Sequence, residues 1–230
     1  MSSTKDLKLP KDLSEEQEEY YWEEKYQNLL SEMKEEFPYF NLVVKKHSKF
    51  NQLLKKLTFF NPEMNERYTT TLGPTIAVNN TWNERPAKNR YSTLIHERIH
   101  MRQEQKYGLT AYFLVFALIP FPTKLAYFRM KWEQEAYQVN LYMSWKEGHR
   151  EKIFGEKYIK YIMDQFIGQF YFFMWYSKEH ILKWMLKTVR NFEGGNTKWR
   201  ELLQLRRLPE NARPLRAPWL LRWLYPEDFL

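Results

Sequence analysis

The sequence predicts an α+β chain that is mainly α, with a small β-sheet next to one central helix and a helical C-terminal part. Three observations predict this. Apolar residues recur at helical spacing in a charged N-terminal segment and again through the last third. The stretch Tyr68 to Val78 is rich in β-branched residues, which favour strands. A helix-length segment, Lys88 to Tyr107, follows it and ends at Gly108, a residue suited to helix termination.

The elements follow in order. Ser14 and Gln17 form a capping-box pattern, so a helix is expected from there to Glu36, stopped by Pro38. Tyr21, Trp22, Tyr26, Leu29, Leu30 and Met33 supply its apolar positions. Phe40 to Val44 reads as a short strand, and Phe50, Leu53, Leu54 and Leu57 as one face of a second helix. Within Tyr68–Val78, Gly73-Pro74 marks a turn or an edge position, and Asn79-Asn80 turns the chain. A long helix begins near Lys124 and runs towards Trp145. Gly194-Gly195 breaks the last helical part. The expected division is an acidic N-terminal helix (1–37), a metal-binding core with a helical C-terminal part (38–195) and a basic, Pro/Trp-rich tail (196–230).

Composition narrows the chemistry. With 16 Phe, 16 Tyr and 9 Trp, the chain carries enough apolar bulk to fold. It has no cysteine, which excludes disulfides and thiolate metal sites and leaves His, Asp and Glu as ligands. Residues 1–36 hold 5 Lys/Arg against 11 Asp/Glu, while the rest hold 31 against 17. The basic body suits an anionic partner, or else it receives the acidic N-terminal segment. The N-terminal residues Met1 to Asp6 are polar, so no secretory signal is expected and a cytoplasmic location is.

Of five histidines, two fall in His96-Glu97-Arg98-Ile99-His100. A helix advances about 100° per residue, so residues four apart share a face. His96 and His100 can therefore point at one ion, with Glu97 within reach of a water on it. A catalytic zinc takes three protein ligands and keeps one open position. The third must come from elsewhere, and Trp132-Glu133-Gln134-Glu135-Ala136-Tyr137 is the foremost candidate segment.

The HExxH motif followed by Glu133-Gln134-Glu135-Ala136 resembles the gluzincin class of zinc metallopeptidases. In that class a second helix supplies a metal-binding Glu in an ExxA pattern, and the small Ala lets the helices approach. The resemblance implies a zincin-like core for 38–195 and Glu133 as third ligand. Residues 40–175 are also similar to a group of bacterial and phage HExxH proteins of uncharacterised activity. The shared features are a Thr-rich strand, Trp82 near the turn, the run His96 to Gln103, an apolar segment, and Glu133 to Tyr137. One departure stands out. Many gluzincins carry an Asp after the Ala, bracing a zinc-bound His, whereas this chain has Tyr137. Asn140 or Gln103 is expected to substitute. Glu135 rivals Glu133, but it lies about 200° round the helix, so both do not bind one ion. His149 and His180 are weaker rivals.

The expected activity is zinc-dependent hydrolysis, with Glu97 as general base, in a metallopeptidase acting on a peptide or protein. Tyr137, Tyr142, Tyr171, His149 and His180 are unranked candidates for stabilising the oxyanion. The strand Thr69–Val78 is a candidate for pairing with extended substrate. The apolar run 111–122 is too short to span a bilayer, where roughly 20 residues are needed. It reads as a buried helical hairpin, with peripheral membrane contact as the alternative. Residues 157–175 read as plain core more readily than as a lid. The tail from Lys198 to Leu230 mixes Arg with Trp, yet no nucleic-acid recognition motif is present, so nucleic acid is a disfavoured partner. Cleavage of DNA-bound proteins would reconcile the basic charge with a peptidase site. The competing reading is a non-enzymatic, zinc-containing protein attached to membrane or nucleic acid. Its structural site would take a fourth protein ligand from His149 or His180.

Overall fold

Ser14 starts the first helix as its pattern predicts. Its N–H donates to Gln17 Oε1 at 2.9 Å and its Oγ accepts from Gln17 N at 3.3 Å, closing the capping box. This computed structural model describes residues 13–45, 69–108, 124–148, 150–167 and 177–194. The expected helix around residues 50–57, the run 111–122, residues 168–175, the tail 198–230, His149 and Tyr171 lie outside the described residues.

Helix α1 (Glu15–Glu36) buries Trp22, Tyr26, Leu29 and Met33, a stripe at three- and four-residue spacing. The chain then turns at Phe37, which is fully buried, into β1 (Asn41–Val44). The strand signal over Tyr68–Val78 is a hairpin, β2 (Thr70–Leu72) and β3 (Thr75–Val78), with Gly73-Pro74 as a turn rather than an edge position. Gly73 causes the division. Its φ of 59° is left-handed, which lets the chain reverse at Gly73-Pro74 and pair Leu72 with Thr75. Gly73→Ala is therefore expected to cost about 1–2 kcal/mol, measured by urea denaturation.

The sheet order is β1-β3-β2. β3 pairs in parallel with β1 and antiparallel with β2, and all four of its residues are buried. Its backbone is thus committed on both sides, which removes Thr75–Val78 as a strand for pairing substrate. Among the described residues β1 and β2 form the two edges. A short 3-10 turn (Trp82–Glu84) leads into α2 (Ala87–Tyr107), which ends at Gly108, φ 86°.

The chain clusters into two compact units. In the first, residues 19–45 and 69–108, α1 lies along α2. Glu19 Oε1 accepts the Ala87 N–H, at the α2 N-terminus, at 2.8 Å. Trp22 packs on Tyr91, and Trp82 Nε1 donates to Tyr26 Oη at 3.1 Å. Acids of α1 meet arginines of α2: Glu23 pairs with Arg90, Glu32 and Glu36 with Arg98, and Glu36 with Arg102. The acidic N-terminal segment thus places part of its charge against basic residues of the body.

The second unit, residues 124–148, 150–167 and 177–194, is helical. It contains α3 (Lys124–Lys146), α4 (Arg150–Ile153), α5 (Glu156–Ile167) and α6 (Lys178–Glu193). Ser177 caps α6 by accepting the His180 N–H, and Gly194 ends it. Its core joins Met130, Tyr137 and Leu141 of α3 to Ile162 and Phe166 of α5 and Met185 and Val189 of α6. The described part of 157–175 therefore serves as core. Among the described residues, no helix is long and apolar enough to cross a membrane.

Candidate metal centre

The centre starts from α2, an unusual helix in that charged and apolar positions alike are buried from Leu94 to Met101. Two neighbours explain this. On one side α1 receives Arg98 and Arg102, with Arg98 Nη1 donating to Glu32 at 2.8 Å and Arg102 Nε to Glu36 at 2.6 Å. On another, β2 receives Glu97, whose Oε2 accepts from Thr71 Oγ1 at 2.6 Å. Each buried charge of the motif thus has an opposite charge or a donor, as burial requires.

The one-turn spacing brings the two imidazoles together. His96 Nε2 and His100 Nε2 stand 3.1 Å apart. Two donors bound at about 2.0–2.1 Å to one tetrahedral ion stand roughly 3.3 Å apart, so the pair is already near bridging distance. His100 Nδ1 lies 2.9 Å from Gln103 Oε1. With that oxygen as acceptor, Nδ1 carries the proton and Nε2 keeps its lone pair for a ligand bond. Of the two candidates for a bracing role, Gln103 thus has a hydrogen bond to His100.

Buried Glu133 completes a group. His96, His100 and Glu133 each offer a ligand atom, and these atoms lie within 4.8 Å of one another. Two imidazoles and a carboxylate are a donor set that fits a divalent transition metal, so the group could hold a metal ion. Glu135 is only half-buried and does not belong to the group. His180, near the start of α6, does not belong either.

Tyr137, which follows the Ala of the Glu133–Ala136 segment, has its ring against Phe166 at 5.5 Å and Tyr161 at 6.5 Å. Tyr142 packs against Trp145 and Phe192. Both rings contribute to the packing of the second unit, and nothing in these contacts favours either as the oxyanion donor.

Three residues near Glu97 and His100 were not read from the sequence. Thr71 is one, through its bond to Glu97. Glu104, one turn beyond His100, is 1% exposed. Burial pushes its carboxyl well up, against the opposing pull of the Gly73 N–H and the His100 imidazole, while the charge of Glu97 adds to the rise. Lys45 follows β1 and is 3% exposed, with Nζ donating to Thr70 Oγ1 at 2.9 Å. Burial pulls its ammonium down to about 8 from 10.5, and the negative charge of Glu97 opposes that fall. The only sequence signal for these residues was the threonine run.

The Lys45 shift has a consequence for stability. Between about 8 and 10.5 the unfolded chain holds this proton and the folded chain releases it, so Lys45 makes stability rise with pH there. Below that window both states are charged and the burial cost is constant. Lys45→Met is thus expected to be more stable than wild type at pH 7 by on the order of 3 kcal/mol. The gap should close as pH nears 10.5. Urea denaturation of both chains at the two pH values checks it, and a gap that does not change with pH would contradict the assignment.

Comparison with protein-family models, curated proteins and solved structures gives no match for this chain.

Proposed function

We propose that the chain is a zinc-dependent hydrolase, most specifically a metallopeptidase, with His96, His100 and Glu133 as ligands and Glu97 as general base. One observation carries the reading. A buried two-histidine, one-carboxylate group lies beside a buried glutamate that follows the first histidine directly. This donor set is that of a hydrolytic zinc rather than of a structural one. Among the described residues, no fourth His, Asp or Glu joins the group.

When bound, zinc supplies Lewis acidity, lowering the pKa of a water towards about 7 and polarising a carbonyl. The chain's own residues do the rest. His96 and His100 would hold the ion from one helix face, and Gln103 would fix the tautomer of His100. Glu97 takes a proton from the attacking water as the C–O bond forms, and returns it to the leaving nitrogen as the amide C–N bond then breaks. Peptide as the substrate rests on the resemblance of the HExxH and ExxA segments to gluzincins.

The test is cleavage of a peptide library by the zinc-loaded chain, with and without a chelator. Cleavage that the chelator abolishes and added zinc restores is the expected result. Metal bound at one ion per chain without cleavage of any peptide or amide would favour the structural-zinc reading.

A further inference from the structure

β2 places two adjacent threonines in polar contacts rather than in packing alone. Thr71 Oγ1 donates to Glu97 Oε2 at 2.6 Å in a buried setting. That length belongs to a charge-assisted O–H···O⁻ bond, about twice as strong as a neutral one. Thr70 Oγ1 accepts from Lys45 Nζ at 2.9 Å. Lys45 is itself buried, and its charge and that of Glu97 attract. A desolvated ammonium costs stability, and this one stands where it offsets the negative charge of Glu97.

Glutamate has three rotatable side-chain bonds, and a general base must present one oxygen at a defined place. We propose that Thr71 and Lys45 are positioning residues for Glu97, a role that rests on Glu97 being the general base. Thr71 ties down Oε2, which leaves Oε1 as the oxygen that accepts the proton. Lys45 fixes Thr70, the neighbour of Thr71, and balances the charge of the carboxylate. The strand beside the motif thus serves as the mount of the base, a role different from pairing with substrate.

Two measurements on the full chain test this. In the first, the infrared carboxylate bands of Glu97 are isolated in metal-free protein as wild type minus Glu97→Gln. Thr71→Val should shift them, Thr71→Ser should leave them in place, and Lys45→Met should shift them less than Thr71→Val. In the second, a quenched-fluorescent peptide cleaved by the zinc-loaded wild type is the probe. Thr71→Val should lower kcat about 10- to 100-fold with KM and zinc content unchanged, and Thr71→Ser should restore kcat. Bands unmoved by Thr71→Val, or full kcat in that variant beside an inactive Glu97→Gln, would overturn the proposal. Lack of cleavage by wild type would count against the hydrolase reading, and the infrared arm would still decide whether Thr71 orients Glu97.

Discussion

Glu97→Gln in the zinc-loaded chain is expected to keep its metal and lose about 10²- to 10⁴-fold in kcat. Glutamine has the shape of glutamate, and its amide oxygen can still accept from Thr71, so the fold and the imidazole pair stay in place. What disappears is the basic oxygen to which the proposed mechanism assigns the proton of water. Zinc content, circular dichroism and turnover of one cleaved peptide check this together. A variant with unchanged metal and full kcat would show that Glu97 is not the base.

The second large effect is on stability. Arg98, in the middle of the motif, has a side chain 4% exposed and pairs with Glu32 and Glu36. Arg98→Ala removes both pairs and leaves Glu36, itself 9% exposed, with Arg102 alone. Removing one partner of a buried ion pair costs about 3–5 kcal/mol, and denaturant unfolding should show a loss of that order. The exposed pair Lys183–Glu179, 74% exposed on both sides, is the control. Lys183→Ala should change stability by no more than about 0.5 kcal/mol. A loss for Arg98→Ala no larger than for the control would show that the Arg98 pairs do not hold α2 against α1.

Local spacing made one layer of this site legible before any coordinates. His96, His100 and Gln103 belong to one helix, so the 3.6-residue period alone places them together. Ser14 with Gln17, Pro38 and Gly108 likewise act on near neighbours, and α1 and α2 begin and end close to where those residues put them. The hairpin was harder. Thr69 to Val78 is continuous in β-branched residues, and Gly73-Pro74 is compatible with either an edge position or a turn. Only the left-handed φ of Gly73 decides for the turn. Thr71 and Lys45 were not legible at all, because their nearness to Glu97 arises from strand pairing and packing across long stretches of chain. Arg98 occupies a variable position of HExxH, and its partners Glu32 and Glu36 sit one turn apart on another helix. The surroundings of Tyr137 were equally hidden, with its ring against Phe166 of another helix.

Metal stoichiometry tests the central claim most directly. The wild-type chain, His96→Ala and Glu133→Ala are each dialysed against zinc, freed of loose ion and analysed by mass spectrometry of the metal, with circular dichroism to confirm folding. The proposed ligand set predicts about one zinc per folded wild-type chain and a marked loss in both variants. Zinc retained at wild-type level in both folded variants would contradict it.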